Sequence, residues 1–477
     1  MILDILSEKS LLILGFGLEG QSSYEFVRNR FPDKAIAIAD RRCLEQMQIR
    51  PGLLLKLDSD KNVRWYCAEN YLGALQDYEV IIKTAGIPST NPAVRLAETQ
   101  GAVITSQTEM FFDLFDRKRV IGITGTKGKS TTTSLTYKII HEAGLSAILA
   151  GNIGEPLLAK LDQAGDDTLF IVELSSYQLD NLSKSPHIAV LLNIFPEHLD
   201  YHPDFAEYAA AKERITRFQS SSDFLVYNFE HPLTNEISAR SLAEAVPFSI
   251  LRDLRSGCFL REDKVIYSDE GKEREILQTS DIPLLGAFNR QNVLAAVAVA
   301  GLLGIEPELI RNSIRSFKSL PHRLEFVGEY GGVKFYNDSI STIPECTLSA
   351  LEALGSDVQT LILGGHERHL DYSGFARELL KSNVKNLILF PPTGKRMWDA
   401  IQSTAGDQQH SLRQFPVETM EEAINICFQY TESGKVCLLS PAAPSYSNFT
   451  NHRERGDLFR KHVQEFSRAD TQSNMSG

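Results

Sequence analysis

The sequence predicts an α/β protein with three domains, each built on a mainly parallel sheet. The first observation is length, since 477 residues exceed what one core usually holds at about 150 residues per domain. The second is that short apolar runs alternate with helix-like segments along the chain, which is typical of parallel sheets covered by helices. The third is a glycine-rich turn between a strand and a helix near the start of the middle region. We expect the domains to span residues 1–117, 118–320 and 321–477.

The charge balance and the apolar runs argue against several classes of protein. A net charge of -12 disfavours nonspecific binding to nucleic acid or to an anionic membrane. No apolar run approaches the roughly 18 residues that span a bilayer, and the N-terminal segment has no basic residues before its apolar ones. We therefore expect a cytoplasmic protein with no signal peptide, no membrane insertion and no nucleic-acid partner.

Six cysteines are scattered along the chain without the short spacings of metal clusters. They are Cys43, Cys67, Cys258, Cys346, Cys427 and Cys437. This scatter supports neither a metal centre nor a disulfide framework, so we expect reduced cysteines that serve mostly in packing.

The first domain opens with a dinucleotide-type turn. An apolar strand over residues 11–14 is followed by Gly15-Phe-Gly-Leu-Glu-Gly20, a helix to about Arg30 and a second strand that ends at Asp40. A GxGxxG turn with an acid about twenty residues later is the Rossmann arrangement, and it predicts a bound nucleotide diphosphate. The alternative is a tight turn whose glycines serve packing alone.

The middle region carries the glycine-rich turn Gly125-Thr-Lys-Gly-Lys-Ser-Thr131 after an apolar strand. Glycines let backbone N–H groups approach an anion, the start of a helix adds positive partial charge, and Lys129 can reach terminal phosphates. Ile123 stands where the strict GxxxxGK[ST] pattern has glycine. A chance turn is the alternative, but the order of strand, turn and helix favours binding of a nucleoside triphosphate.

Polar residues that follow neighbouring strands predict metal chemistry next to this turn. Glu173 ends an apolar strand and can hold Mg²⁺ through oxygen ligands, although it could instead cap the next helix. Residues 193–202 place two histidines and two acids close together. Zinc is disfavoured because further Cys or His partners at motif spacing are missing. Lys212 lies in a helix of small residues and, taken alone, indicates nothing.

The remaining segments extend the alternation of strands and helices. Residues 284–304 are rich in Ala, Leu and Val and predict a buried helix. Strands near residues 333–338, 360–363, 386–390 and 435–439, with a helix over residues 344–354, predict a third sheet that is mainly parallel.

Eight segments of the chain, taken together and in order, resemble the Mur ligase family, and most of all its members that add glutamate to UDP-N-acetylmuramoyl-L-alanine. The segments are Gly125–Thr131, Gly151–Gly154, Glu173–Gln178, 193–202, Tyr208–Lys212, Asn289–Asn292, Leu320–Arg323 and Asn337–Ser339. The resemblance implies a Rossmann-like UDP-binding domain, a central P-loop ATPase-like domain and a Rossmann-like domain for the acceptor. It also implies that ATP phosphorylates the carboxylate, that glutamate attacks the acyl phosphate, and that the product serves peptidoglycan synthesis. We expect a monomer that uses ATP and Mg²⁺.

The resemblance assigns roles residue by residue. It implies catalytic roles for Lys129, Glu173, His198 and Lys212, and metal ligands at Ser130, Glu173, His198 and a carbamylated Lys212. ATP contacts are implied at Gly125, Thr126, Lys127, Gly128, Lys129, Ser130, Thr131, Asn289, Asn292, Arg323 and Asp338. Contacts to the UDP-sugar are implied at Leu18, Glu19, Asp40, Arg41, Thr84 and Asn152, and contacts to glutamate at Thr342, Arg368, Ser445 and His452.

The chain departs from this family mainly in the predicted acceptor pocket. Where the family commonly has Asp-Ser-Lys-Ala-Thr-Asn, the chain has Asp338-Ser-Ile-Ser-Thr-Ile343, so a lysine is lost. Arg368 keeps a cation in the next motif, His452 replaces a phenylalanine, and Phe288 stands where a histidine is frequent. Losing a charge-assisted contact is worth about 1.5 to 3 kcal/mol. D-glutamate is favoured as acceptor, and L-glutamate is the alternative.

Three other functions are less consistent with the sequence. A folylpolyglutamate synthetase would share the phosphate-binding turn but not the Rossmann-like region of residues 15–40. A catalytically silent nucleotide-binding regulator has no need to keep Lys129, Glu173, His198 and Lys212 together. An NAD-dependent oxidoreductase leaves the turn at residues 125–131 unexplained.

Overall fold

The structure is a computed structural model, and it describes residues 2–198, 201–406 and 409–475, with side chains described to residue 466. The chain divides into two compact units. The first comprises the residues up to 282 together with 290–316, and the second comprises 283–289 together with the residues from 317 onwards. Mixed α/β structure with largely parallel sheets is confirmed. The division into three domains at residues 117 and 320 stays a prediction.

The first unit contains a five-stranded parallel sheet in the N-terminal part of the chain. Its strands are β1 (Leu11–Leu14), β2 (Ile36–Asp40), β3 (Val63–Cys67), β4 (Val80–Lys83) and β5 (Val103–Thr105). The order is β3-β2-β1-β4-β5, with every pair parallel. The helices of this region are α1 (Ile2–Glu8), α2 (Leu18–Arg30), α3 (Leu53–Ser59), α4 (Pro92–Thr99) and α5 (Gln107–Leu114). The strand order reverses beside β1, which is where doubly wound sheets bind ligands.

A nine-stranded sheet forms the larger part of the first unit. Its strands are β6 (Val120–Thr124), β7 (Ala147–Gly151), β8 (Leu169–Glu173), β9 (Ile188–Leu191), β10 (Phe224–Asn228), β11 (Glu244–Ser249), β12 (Gly257–Arg261), β13 (Lys264–Asp269) and β14 (Lys272–Gln278). The order is β14-β13-β12-β11-β10-β9-β6-β8-β7. The accompanying helices are α6 (Lys129–Glu142), α7 (Leu157–Lys160), α8 (Ser176–Leu179), α9 (Phe205–Arg217), α10 (Pro232–Arg240), α11 (Ala287–Leu302) and α12 (Pro307–Arg315).

The two sheets of the first unit share one hydrophobic core. Buried residues of the N-terminal sheet and of the nine-stranded sheet belong to a single cluster. The rings of Phe111 in α5 and Phe170 in β8 meet edge to face with centroids 4.9 Å apart. This shared core fixes the turn after β1 relative to the turn after β6.

The antiparallel end of the nine-stranded sheet was not predicted. Strands β12, β13 and β14 form two antiparallel pairs beside the parallel part. The sequence of β14 is rich in charge, and its first four residues are exposed. The strand therefore lacks the kind of apolar run from which strands such as β1 and β6 were predicted.

The second unit is built on a six-stranded sheet. Its strands are β15 (Glu325–Tyr330), β16 (Val333–Asn337), β17 (Val358–Gly364), β18 (Asn386–Phe390), β19 (Arg413–Pro416) and β20 (Val436–Leu439). The order is β15-β16-β20-β17-β18-β19, and only β15 with β16 pairs antiparallel. The helices are α13 (Pro344–Leu354), α14 (Ser373–Lys381), α15 (Thr393–Ala405), α16 (Met420–Tyr430) and α17 (His452–Met475). Strands β16, β20 and β17 are parallel neighbours, so the loops after them meet at one edge.

The expectation that all six cysteines are reduced is wrong. Cys43 and Cys67 form a disulfide with their Cα atoms 5.1 Å apart. Cys67 ends β3 opposite Asp40 of the neighbouring strand β2, and Cys43 follows three residues after that strand. Strand pairing thus brings together two thiols 24 residues apart, which their spacing in the sequence could not indicate.

Candidate active site

Residues 125–131, called the phosphate loop below, join β6 to α6, and neighbouring atoms leave no room for a Cβ atom at Gly125 or Gly128. Gly128 has a φ of +88°, and a Cβ atom there would lie 2.2 Å from Oδ1 of Asn292. A Cβ on Gly125 would lie 2.8 Å from the Cβ of Leu192. The helix α6 begins at Lys129, so Ser130 and Thr131 lie in its first turn. The loop therefore presents the N–H groups of a helix start to an anion.

The lysines of this loop are held by oxygen atoms of the protein. Nζ of Lys129 donates to the carbonyl oxygens of Gly125 and Thr126, both at 2.9 Å. Nζ of Lys127 lies 2.6 Å from Oε1 of Glu197. Burial opposes ionisation of Glu197, but the Lys127 ammonium outweighs it and holds the pKa of that carboxyl below its ordinary value. Two cations thus converge on the place where phosphates would bind.

Glu173 ends β8 beside this loop and is 1% exposed. Its Oε1 accepts a hydrogen bond of 2.7 Å from Nδ2 of Asn152. Within the described residues, its buried Oε2 has no hydrogen-bond partner. A buried carboxylate oxygen without a donor is costly unless something else satisfies it. A carboxylate oxygen is the kind of ligand that a hard divalent cation prefers, and this one has no hydrogen-bond partner among the described residues. The position of Glu173 therefore fits such a cation.

Lys212 of α9 lies behind the phosphate loop and is 1% exposed. Its Nζ donates to the Gly125 carbonyl at 2.9 Å and to Oγ1 of Thr124 at 3.4 Å. Burial, reinforced by the nearby Lys129 ammonium, lowers the pKa of Lys212 well below its ordinary value. Burial therefore shifts the equilibrium of this group towards the free amine, which is its nucleophilic form.

The segment after β9 surrounds the same loop. The hydroxyl of Tyr208 and Oγ1 of Thr126 are 2.9 Å apart, and Oδ1 of Asn193 accepts a bond of 2.8 Å from the Lys127 N–H. His198 has a φ of +58°, and its ring lies 5.0 Å from the ring of Tyr177. Asp200, one of the two predicted acids, lies outside the described residues. Among the residues that are described, no group of three or more His, Cys, Asp or Glu could hold a metal ion.

The predicted sugar-nucleotide turn has the geometry of the Rossmann fingerprint. A Cβ on Gly15 would lie 2.1 Å from Oγ1 of Thr84, and one on Gly20 would lie 2.1 Å from the Gly15 carbonyl. A Cβ on Gly17 would meet nothing within 4 Å. The first and third glycines thus serve close packing, while the second faces open space into which a ligand can fit.

Asp40 holds this turn together through its carboxylate. Oδ2 accepts from the Phe16 N–H at 2.7 Å, and Oδ1 accepts from the Arg42 N–H at 2.8 Å. Leu18, at the start of α2, is 62% exposed. Arg41 lines a cleft of about 480 Å³ together with Ala68, Glu69 and Tyr71. The contacts of these residues with a sugar nucleotide stay predictions.

Glu19 connects the sugar-nucleotide turn to the nine-stranded sheet. Its Oε1 accepts from Nε2 of Gln178 at 2.8 Å, and its Oε2 accepts from the Ala85 N–H at 3.0 Å. Gln178 lies in α8, which begins three residues after Glu173. The sequence did not indicate this link, because it joins residues 159 apart in the chain.

In the second unit, Asp338 is the most buried of the predicted ATP contacts. Its Oδ2 accepts from the hydroxyls of Ser341 at 2.6 Å and Ser440 at 2.8 Å, and its Oδ1 accepts from the Leu324 N–H. Burial raises its pKa to about 6. Nδ2 of Asn289, also in this unit, donates to the Leu285 carbonyl at 2.7 Å.

The four predicted glutamate contacts lie on neighbouring segments of the second unit. Thr342 follows β16, Arg368 follows β17, Ser445 follows β20, and His452 begins α17. Arg368 is exposed, whereas Ser445 is buried. Burial and the nearby His322 and arginine side chains lower the pKa of His452 to about 4. His452 is therefore neutral, and a positive charge for a substrate carboxylate must come from another residue such as Arg368.

Several residues of both sites were missed by the sequence analysis. They are Asn193, Glu197 and Tyr208 at the phosphate loop, Gln178 at the link to the N-terminal sheet, and Arg455 in the second unit. Tyr208 stood inside a recognised motif and could have been found there. Arg455 sits in the charged run His452-Arg-Glu-Arg-Gly-Asp457, which gives no signal of burial.

Two family models match the chain. The Mur ligase middle domain matches residues 123–300, and the Mur ligase glutamate ligase domain matches residues 322–443. Three relatives are named UDP-N-acetylmuramoylalanine--D-glutamate ligase. That of Acetivibrio thermocellus is 34% identical, over 84% of this chain and 86% of its own. Those of Koribacter versatilis and Symbiobacterium thermophilum are 33% and 35% identical, over 96% and 95% of this chain and 98% of each relative.

Solved structures resemble the whole chain in fold. MurC from Thermotoga maritima superposes with a TM-score of 0.58 and 17% identity, over 97% of this chain and 100% of that one. MurF from Acinetobacter baumannii gives a TM-score of 0.61 and 15% identity, over 95% and 93%. MurF from Thermotoga maritima in complex with ADP gives 0.56 and 15%, over 95% of both chains.

Proposed function

The chain belongs to the Mur ligase family, and on that premise we propose that it joins glutamate to UDP-N-acetylmuramoyl-L-alanine at the expense of ATP, with D-glutamate as the acceptor. The reaction is that of an ADP-forming carboxylate-amine ligase in peptidoglycan precursor synthesis. The observation that carries the proposal is a phosphate loop flanked by two buried groups suited to ligase chemistry. These groups are Glu173, whose Oε2 has no hydrogen-bond donor among the described residues, and Lys212, a buried amine whose pKa is lowered.

A carboxylate anion resists attack by an amine, so the ligase must first convert it into an acyl phosphate. That step brings two anions together and requires cations to stabilise the developing charge. The backbone N–H groups of residues 125–131 would hold the ATP phosphates, and Lys129 would exchange its carbonyl acceptors for phosphate oxygens. Lys127, paired with Glu197, lies at the side of the same loop. Asn292 abuts Gly128 and is placed to position the loop.

Mg²⁺ would supply charge neutralisation between the transferring phosphate and the acyl oxygen. We propose Ser130, Glu173 and His198 as its protein ligands. The orphaned Oε2 of Glu173 is the observation that fits a cation, since oxygen donors are what Mg²⁺ prefers.

We further propose that Lys212 carries a carbamate in the active protein. The neutral amine attacks the carbon of CO₂ and loses a proton, so a C–N bond forms and an anionic carboxylate replaces the amine. The lowered pKa supplies the required free amine. The product would contribute oxygen atoms to a second metal site, in a pocket whose own lysines favour an anion.

The sugar nucleotide would bind at the turn after β1, where Gly17 leaves open space. Leu18, Glu19, Arg41, Thr84 and Asn152 are the proposed contacts around it. Asp40 would act by fixing the turn through the Phe16 and Arg42 N–H groups. The glutamate amine would then attack the acyl phosphate, with Thr342, Arg368, Ser445 and His452 holding the acceptor, and phosphate would leave.

The test is to incubate the purified chain with ATP, Mg²⁺, UDP-N-acetylmuramoyl-L-alanine and either enantiomer of glutamate. We expect phosphate release and a product heavier by one glutamyl residue with D-glutamate. Product with L-glutamate alone would keep the ligase and reverse the stereochemistry. Silence with both enantiomers, alongside measurable ATP binding, would overturn the proposal in favour of a nucleotide-binding regulator. A preparation of Lys129→Met is the negative control, because it lacks the phosphate-binding ammonium.

A further inference from the structure

The guanidinium of Arg455 is fully buried in the second unit although it carries a charge. The side chain is 0% exposed, and burial lowers its pKa to about 9, which leaves it cationic at neutral pH. A buried cation is expensive unless its donors are satisfied. Among the described residues, those donors reach only carbonyl oxygens and one hydroxyl, and no carboxylate.

All five N–H donors of this guanidinium are used. Nε donates to Oγ of Ser339 at 3.1 Å, and Nη2 donates to the Ser339 carbonyl at 2.8 Å. Both Nη atoms donate to the Ala443 carbonyl at 3.1 Å, and Nη1 also reaches the Gly364 carbonyl at 3.4 Å. One planar side chain thus binds the backbone at three separated positions.

These three positions belong to the three loops that follow adjacent parallel strands. Ser339 follows β16, Gly364 ends β17, and Ala443 follows β20. The same loops carry Thr342, Arg368 and Ser445, the proposed glutamate contacts. The fourth contact, His452, lies one helical turn before Arg455, and its carbonyl accepts from Oγ of Ser339 at 2.8 Å.

We propose that Arg455 is a positioning residue for the amino-acid acceptor, whose guanidinium fixes the three loops of the glutamate site in one arrangement. The inference rests on the proposed function and goes beyond it, because Arg455 is assigned no contact with substrate. A lysine cannot replace it, since an ammonium has three donors from one atom where the guanidinium has five in a fixed plane.

The close approach of the loops supports this role. A Cβ on Gly365 would lie 2.1 Å from the Pro444 carbonyl and 3.1 Å from Nη1 of Arg455. The His366 N–H donates to the same Pro444 carbonyl at 2.7 Å. The loops after β17 and β20 therefore meet backbone to backbone beside the guanidinium, and a small shift at its position moves both.

The first test compares Arg455→Lys with Arg413→Lys, the same change at an exposed position on the edge strand β19. We expect Arg455→Lys to raise the KM for glutamate at least about tenfold, the effect of losing one charged hydrogen bond. The KM for UDP-N-acetylmuramoyl-L-alanine should change less than about twofold, and Arg413→Lys should match the wild type. A glutamate KM in Arg455→Lys equal to that of the wild type would overturn the proposal.

A second measurement decides the matter if Arg455→Lys does not fold. Ser339→Ala removes only the hydroxyl that links Arg455 to the His452 carbonyl, and we expect a rise of about threefold in the glutamate KM. Hydrogen exchange of the backbone in residues 338–343, 364–368 and 440–445 should increase together in this variant. Unchanged exchange in these loops and an unchanged KM for glutamate would overturn the proposal that Arg455 fixes the three loops. Absence of activity in the wild type would instead count against the proposed function. The exchange result would still test whether Arg455 fixes the three loops.

Discussion

Among the residues that the structure describes, each unit has one cationic side chain that is less than 2% exposed, and the two differ in their hydrogen-bond partners. Among the described residues, Nζ of Lys212 donates to the Gly125 carbonyl and, at 3.4 Å, to the Thr124 hydroxyl. The pKa of Lys212 falls well below its ordinary value. Arg455 places five N–H donors on four oxygen atoms and stays charged, with a pKa of about 9. Burial lowers the pKa of both side chains, but Arg455 keeps its proton at neutral pH because its ordinary pKa of 12.5 falls only to about 9.

This difference separates a reactive group from a structural one. A buried amine with a lowered pKa can react with CO₂, whereas a guanidinium whose N–H groups are all hydrogen-bonded serves to order the backbone around it. In the first unit a buried side chain is thus available for reaction, whereas in the second a buried side chain holds the backbone in place. Each of the following predictions would sharpen that contrast or remove it.

The largest expected effect is on turnover. Lys212→Met keeps the length of the side chain and removes the amine, so we expect phosphate release to fall by about a hundredfold to a thousandfold, as for other lost charge-stabilising groups. Lys381→Ala, an exposed lysine of α14, is the matched control and should retain wild-type activity. Full activity in Lys212→Met would mean that the buried amine takes no part in the reaction.

The next effect is on stability, and here the order of the two residues reverses. Arg455→Met removes the hydrogen-bond donor of the carbonyls of Ser339, Gly364 and Ala443. We therefore expect the free energy of unfolding of the second unit, measured in urea, to fall by about 3 to 5 kcal/mol. Lys212→Met leaves the Gly125 carbonyl bonded to Lys129, so we expect a change of about 1 kcal/mol or less in the first unit. Equal losses of unfolding free energy in the two variants would contradict the distinction between a structural arginine and a reactive lysine.

A smaller effect concerns the dependence of stability on pH. Because the pKa of Lys212 is lower in the folded state than its ordinary 10.5, the folded protein binds fewer protons and gains stability as pH rises. In bicarbonate-free buffer, the free energy of unfolding of the wild type should therefore rise relative to that of Lys212→Met as the pH increases towards 10.5. Because the folded-state pKa of Arg455 is about 9, its contribution changes mainly above that pH, and Arg455→Met should show no such difference from the wild type near neutral pH. Parallel curves for wild type and Lys212→Met would show that the amine is charged.

The chemistry of the first unit could be predicted from the sequence because it depends on local order. Lys129 begins a helix directly after a glycine turn, and Glu173 ends a strand, so both positions follow from neighbours in the chain. The lowered pKa of Lys212 could not be predicted, since it results from burial and from the nearby Lys129 ammonium. Family resemblance, and not the residues alone, singled that lysine out.

The geometry of the second unit was largely beyond the sequence. Four of its six strands were predicted from their apolar runs, but β15, β19 and the order in which the strands pair were not. Arg455 is buried only because β16, β20 and β17 lie side by side and bring Ser339, Gly364 and Ala443 to one point. The disulfide of Cys43 and Cys67 was missed for the same reason, because pairing between β2 and β3 creates it.

The most direct test is a ¹³C NMR spectrum of the protein equilibrated with ¹³C-bicarbonate, since a buried, reactive amine at Lys212 beside the phosphate loop is the central claim. The account predicts a carbamate carbon signal in the wild type that is absent from Lys212→Met and present in Arg455→Lys. A wild-type spectrum identical to that of Lys212→Met would contradict it.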